Sequence, residues 1–163
     1  MFQKLPVTLL PILIILLFIN PTLAVEEITA EEASAKYNEA VGLIKRHKYS
    51  SAIELLNEIV EAGIDDKAQL ADALNMLGFS YRKSEKLNFA IDNYSEALRI
   101  DPTHKGANEY VGEAYLEMNK PLLAVKHLKI LENICGKKCV EYQNLKKSFD
   151  LFLQNSGKNT AQY

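Results

Sequence analysis

Two cysteines, Cys135 and Cys139, stand four residues apart in the stretch NICGKKCVEY, and the 163-residue chain has no others. Thiols at that spacing have three uses: a disulfide staple, a redox pair, or part of a metal site. A metal site needs more ligands, and His127 is the only histidine close by in sequence. A redox pair usually reads C-x-x-C and holds one thiol at a low pKa. Here the spacing is C-x-x-x-C, and the intervening Lys137 and Lys138 would lower a pKa only modestly. A staple needs an oxidising compartment. The choice therefore turns on where the chain resides and on what surrounds the pair.

Other reactive side chains form no recognisable constellation. His47, His104 and His127 make no H-E-x-x-H pair, and His47 and His104 fall in expected inter-helix turns, where a solvated role is the simple expectation. The stretch GFSYR lacks the second glycine of a nucleophile elbow. No glycine-rich phosphate loop occurs, and DPTHKGANEYVG lacks the acidic ligands of a calcium loop. Asn93 opens an N-Y-S sequon inside an expected helix, beside a tyrosine expected to be buried, so its acceptor pattern reads as unused. The expectation is a protein with no enzymatic activity, no cofactor and no metal.

The first residues speak to the compartment. MFQK is short and basic, LPVTLLPILIILLFI carries no charge, and NPTLA supplies a breaker and small residues before VEE. That is the layout of a secretory signal peptide over residues 1–24, cut after Ala24. Its apolar core is shorter than the roughly 20 residues of a membrane anchor and contains prolines. Removing it takes Lys4 and no acid, so the formal net charge moves from −2 to about −3. Nucleic-acid binders carry basic patches, so no nucleic acid is expected as a partner, and no membrane once the signal is cut. Export, with the periplasm first, a secreted form or an uncleaved anchor as alternatives, would place Cys135 and Cys139 where a staple forms.

The elements that must position these residues repeat. Shifting the sequence by 34 residues lays 71–104 on 105–138, with Ala73/Ala107, Gly78/Gly112, Tyr81/Tyr115, Lys86/Lys120, Ala90/Ala124 and Ile100/Ile134 identical. A shift of 38 adds a third copy over 33–66, matching Ala40 to Gly78, Leu43 to Tyr81, Ala52 to Ala90 and Leu56 to Tyr94. Within a copy, apolar residues recur three and four apart: Leu74, Leu77, Gly78, Tyr81, then Leu87, Ala90, Ile91, Tyr94, Ala97, Leu98. That period marks two amphipathic helices separated by the polar break RKSEK. Thr29 and Glu32 have capping-box spacing, Gly63 suits a helix C-terminus, Pro102 stops a helix, and Pro121 suits a first helical turn. Gly78 and Gly112 are expected where the helices of a pair approach closely, with Ala90 and Ala124 opposite and Tyr81, Tyr94 and Tyr115 between pairs.

The middle copy resembles the tetratricopeptide repeat family: Leu77-Gly78, Tyr81, Ala90, Tyr94, Ala97 and Pro102 stand at that family's spacings. The resemblance weakens in 33–66, where Ala40 and Leu43 replace the usual Gly and Tyr. It implies an all-α solenoid of three helix pairs (33–66, 71–104, 105–138) after a lead-in at 25–32. A capping helix over 139–155 with Val140, Leu145, Phe149 and Phe152 as its apolar positions, and a polar tail at 156–163, would follow. Cys135 then ends the last repeat helix, Gly136 makes the turn, and Cys139 opens the cap. A staple closing so short a loop would contribute about 2 kcal/mol; a thiol-redox role stays open as an alternative.

The resemblance also implies a concave groove lined by the first helix of each pair. Its expected lining is Tyr37, Val41, Ile44 and Lys45, then Asn75, Phe79, Arg82 and Lys83, then Glu109, Glu113, Leu116 and Glu117. Val41, Ile44, Phe79 and Leu116 would form an apolar strip turned away from the core. Lys45, Arg82 and Lys83 would face one end, and a self-repelling glutamate stripe the other. Some family members clamp a C-terminal carboxylate with groove Lys and Asn side chains. Val41 and Phe79 stand where asparagines would be expected, so an internal segment or a helix of another protein is the expected ligand. A self-associating structural subunit, a homo-oligomer, is the other expectation that the apolar strip permits.

Overall fold

A computed structural model describes residues 28–160, and the expected signal segment 1–24 lies outside them. The described chain is helical: α1 (Ala30–Lys45), α2 (Tyr49–Ala62), α3 (Lys67–Lys83), α4 (Leu87–Ile100), α5 (Lys105–Glu117), α6 (Pro121–Cys135) and α7 (Val140–Thr160). They form three antiparallel pairs stacked in chain order, with α7 lying on α5 and α6.

Local chemistry sets the helix ends. The Thr29 hydroxyl accepts from the Glu32 amide at 3.2 Å while the Glu32 carboxylate accepts from the Thr29 amide at 2.8 Å, a complete capping box. Asp66 caps α3 by accepting from the amides of Ala68 and Gln69. Gly63 ends α2 in the left-handed region, φ 66°, and Pro121 opens α6. The four residues by which the first copy is longer fall in the link before α3 and in its added N-terminal length.

The turn inside each pair is built the same way three times. The amides of Lys48, Lys86 and Lys120 donate to the carbonyls of Leu43, Tyr81 and Tyr115. The residue before each lysine, His47, Glu85 or Asn119, has φ between 57° and 61°. These are Schellman turns whose left-handed position is filled by residues other than glycine, which costs conformational energy.

Small residues let the pairs close. A Cβ on Gly78 would lie 2.7 Å from two ring carbons of Tyr94 and 3.1 Å from the Ala90 carbonyl, and Ala90, Tyr94 and Ala97 are fully buried. Gly112 differs from the expectation. The three atoms nearest its added Cβ all belong to Leu145 of α7, at 2.5–3.2 Å, so this glycine serves the cap helix. Tyr81 packs on the core of the first pair and on the Tyr94 cluster beyond, and Tyr115 likewise spans the last two clusters. Ala124 is fully buried beside Leu128, Leu131 and Leu145. Leu77 is buried with Ala73 in the first core, and Pro102 lies exposed just past the end of α4.

The C-terminal end departs from expectation in one respect. The cap helix does not stop at residue 155 but continues to Thr160. The Ser156 hydroxyl bonds back to the Phe152 carbonyl at 2.9 Å, a local contact compatible with an unbroken helix.

Candidate functional site

The first helices of the pairs, α1, α3 and α5, and then α7 line one face, and its chemistry is centred on Arg82. Residues one repeat apart on neighbouring first helices meet, as in Arg82 with Glu117 and Asn144 with Glu109, each 35 residues apart. The Arg82 guanidinium is almost fully buried and bonds Glu113 at 2.7 Å and Glu117 at 2.6 Å. It also lies 5.6 Å from the centre of the Phe79 ring and 5.7 Å from that of Tyr110, rings that pack 5.0 Å apart. Burial alone would lower its pKa; the neighbouring Tyr94, Glu113 and Glu117 more than offset this and hold it above the ordinary value. The Tyr94 hydroxyl and Arg82 Nε have no hydrogen-bond partner among the described residues. Burial drives the Tyr94 pKa upward against the pull of Arg82.

Glu109 is 7% exposed. Burial raises its pKa to about 7, opposed by the Asn144 side-chain amide at 3.0 Å and reinforced by Glu113 and Glu141. Glu113 in turn accepts from Arg82 and from the Ser148 hydroxyl at 2.8 Å. The expected picture of separated charge is therefore corrected. The glutamate stripe does not stand against itself in water, because Arg82 bonds two of its members and α7 side chains bond two. Asn75, Arg82, Glu109 and Leu116 are all buried; Asn75 and Glu109 do not reach the cleft described below, and Arg82 and Leu116 form part of its wall. Leu116 does not turn away from the core: it packs with Ala124, Leu128, Leu131 and Leu145, because α7 covers it. Tyr37 and Ile44 pack on the first core, with burial, then Asp72 and Tyr110, raising the Tyr37 pKa. Val41 and Phe79 are half-buried, and Lys45 and Lys83 are exposed.

The open part of this face is a cleft of about 390 Å³ bounded by Arg82, Lys83, Glu113, Leu116, Glu117 and, from α7, Ser148, Leu151, Phe152 and Asn155. Lys83 reaches over the Phe79 ring at 5.4 Å and makes no ion pair among the described residues. Leu151 is 49% exposed. The cleft thus offers a cation, two acids and an apolar wall. Sequence reading leaves out Tyr110, Ser148, Leu151 and Asn155. The available signal is the same shift of 34, which carries Val111 to Leu145 and Tyr115 to Phe149 and marks α7 as a further first helix.

The cysteines fall where expected, at the end of α6 and just before α7, with Cα atoms 5.8 Å apart and sulfurs 2.08 Å apart. Gly136, φ 76°, makes the turn. The Glu141 carboxylate is the third group close to both sulfurs. His104 is not simply solvated. Its Nδ1 accepts from the Ala107 amide, capping α5, so Nε2 carries the proton and donates to Asp72 at 3.0 Å. His127 is held the other way round. The Asn108 amide group donates to the carbonyls of Pro102 and His104, so its oxygen accepts from His127 Nδ1 at 3.0 Å. Burial, with Lys126 nearby, lowers the His127 pKa to about 4.

Helix pairs stacked about a concave face of first helices define an α-solenoid, a class in which each pair covers the apolar face of the next. Residues 71–104 match the family model for the tetratricopeptide repeat, and that stretch of the chain is a repeat of this kind. It is 28% identical over 102 residues to the chloroplastic tetratricopeptide repeat domain-containing protein PYG7 of Arabidopsis thaliana, covering 61% of this chain and 34% of that one, so it spans about a third of the relative's length. The first such domain of Spaghetti (RPAP3), solved bound to the HSP90 peptide SRMEEVD, superposes with a TM-score of 0.66 at 16% identity, covering 79% of this chain and 98% of that one. SycD, a type III secretion translocator chaperone of Yersinia enterocolitica, does so with a TM-score of 0.66 at 17% identity, covering 82% and 98%. At these identities the structures attest the fold. Among the described residues no helix is long and apolar enough to cross a membrane.

Proposed function

We propose that this protein is a non-catalytic adaptor that holds a segment of another protein in the cleft between α3, α5 and α7. The observation that carries the reading is the division of labour at the cleft. Arg82 is committed to Glu113 and Glu117, whereas Lys83 and Leu151 are left exposed at its rim. A bound segment would set an apolar side chain against Leu151 and Phe152 and an acidic group against Lys83. Such pockets with one apolar anchor and a few placed polar groups suit segment recognition. The peptide-bound relative supports this by fold alone, and the absence of the expected groove asparagines at Val41 and Phe79 favours an internal segment over a chain terminus.

In this reading the protein works outside the cytoplasm, most simply in a bacterial envelope, and Cys135 and Cys139 form a staple between α6 and α7. The placement of the two cysteines at the α6–α7 junction, with Cα atoms 5.8 Å apart, supports the staple, and alkylation of the purified protein before and after reductant tests it: thiols that react without reductant would refute it. Cleft binding is tested by capture from envelope extract with the native protein beside the K83E, L151E variant. A partner retained by the native protein and lost by the variant is the expected result. The same partner retained by both would place binding elsewhere.

A further inference from the structure

α7 opens a fourth helix pair that the described chain does not complete. Leu145 and Phe149 follow Val111 and Tyr115 by 34 residues, as those follow Leu77 and Tyr81. In the second and third pairs, a planar side chain from the second helix stacks on the tyrosine of the first. Phe89 lies on Tyr81 at 5.3 Å and 28°, and His127 on Tyr115 at 5.8 Å and 27°. Phe149 has no such ring against it among the described residues. It lines instead a crevice of about 300 Å³ between α6 and α7, with Val125, Leu128, Lys129, Glu132, Tyr142 and Lys146 around it; the Glu132 carboxylate is paired with Lys137 at 3.2 Å. Leu122, 79% exposed, and Val125, 41% exposed, lie along the same stretch of α6.

Charge singles this edge out. Between residues 118 and 150 lysines outnumber acids, whereas acids outnumber bases between 28 and 117. Lys126, Lys129 and Lys147 make no ion pair among the described residues, and Lys146 bonds both oxygens of Asp150 on its own helix at 2.6 Å. Lys146 also stands where Gly78 and Gly112 stand in the two preceding copies. A long side chain there keeps any second helix from closing as α4 closes on α3, and it offers that helix a cation.

We propose that the α6–α7 edge docks an acidic amphipathic helix of a partner protein, seated where the second helix of a fourth pair would lie. The edge continues the stacking that α4 makes on α3 and α6 on α5. Its apolar lining is recessed, Leu128 being 8% exposed, which fits an inserted side chain better than a flat lipid surface. The lysine rim sets the sign of the partner. The occupant places a ring or branched side chain on Phe149 and an acid on Lys146 or Lys129. It sits reversibly, because Lys146 prevents the closest approach.

The test uses a fluorescent peptide with the sequence of residues 48–63, an amphipathic second helix whose Glu54, Glu58 and Glu61 outweigh Lys48. It is titrated into the full chain. Saturable binding is expected, weakened at least about tenfold in the V125E, K129E variant and unchanged in K83E, L151E. Peptide in which the three glutamates become lysine should bind at least about tenfold more weakly. Both V125E and K129E lie at exposed positions, and circular dichroism checks that the variant is folded. No saturable binding overturns the proposal, as does binding lost in K83E, L151E but kept in V125E, K129E. Two other results overturn it by naming a different occupant. One is phosphatidylglycerol vesicles that bind the native chain but not the edge variant, with peptide binding equal in both. The other is a native homodimer, seen by light scattering, that the edge variant dissolves.

Discussion

The concave face around Arg82 and the outer edge between α6 and α7 are built from the same residue types and used in opposite ways. On the concave face the cation is buried, bonded to two carboxylates and packed near two rings. At the edge Lys129 is exposed, Lys146 is paired only with Asp150 on its own helix, and a ring lines an open crevice. The difference is one of completion. α3 and α5 have helices on both sides, and most of the polar groups they bury find partners. Among the described residues α7 packs only on α5 and α6, and its outward side chains there are open.

The largest effect that separates the two regions should come from cutting the buried cation. Arg82→Met leaves Glu113 and Glu117 without their cation, and a loss of about 3 kcal/mol or more is expected in urea unfolding. Lys129→Met at the edge should change stability by less than about 0.5 kcal/mol. Equal losses would erase the comparison.

Proton linkage sharpens it. Glu109 has a folded pKa raised to about 7 by burial, so the folded state binds the extra proton and stability falls as pH rises from about 4.5 to 7. His127 has a folded pKa lowered to about 4 by burial, so stability is lost as pH falls from about 6.5 toward 4. Each shift corresponds to no more than about 3 kcal/mol. The two slopes oppose each other over one window, so the native protein should show a nearly flat profile there. Glu109→Gln should leave stability rising with pH, and His127→Gln should leave it falling. Parallel profiles for both variants would contradict the assignment.

Next in size is the pair of close-approach glycines. Gly78→Ala drives a methyl into the Tyr94 ring and the Ala90 carbonyl, costing about 2 kcal/mol. Gly112→Ala meets the tip of Leu145, and should cost about 1 kcal/mol while loosening α7, read as faster amide exchange confined to that helix. The smallest effect is a gain. Glu85→Asn at φ 61° should stabilise by about 0.5 kcal/mol in thermal unfolding, since Asn119 already fills that turn position in the next pair.

Much of the architecture could be read from the sequence because it depends on local periodicity. Leu74, Leu77 and Tyr81 mark a helix face by spacing alone, and Thr29, Gly63 and Pro121 mark helix ends by side-chain chemistry. The charge pairing on the concave face was not legible. Arg82 meets Glu117 only because neighbouring first helices align with a stagger of one repeat, a tertiary register that no local pattern contains. The burial of Leu116 is not legible for the same reason, since no local pattern shows that α7 packs over it. The interruption at Lys146 hid the continuation of the repeat, because the glycine that marks two earlier copies is absent from the third equivalent position. His47 and Glu85 fall in the expected breaks between helices, but their left-handed backbone carries no sequence signal, as that position usually advertises itself with glycine or asparagine.

The central claim is that the open part of the concave face, and not the buried Arg82 node or the repeat fold in general, binds a partner segment. Calorimetric titration of the segment captured by the native protein, against native, K83E, L151E and V125E, K129E chains, tests it most directly. The account predicts a loss of at least about tenfold in affinity for K83E, L151E and unchanged affinity for V125E, K129E. Unchanged affinity in K83E, L151E, with the chain folded, would contradict it.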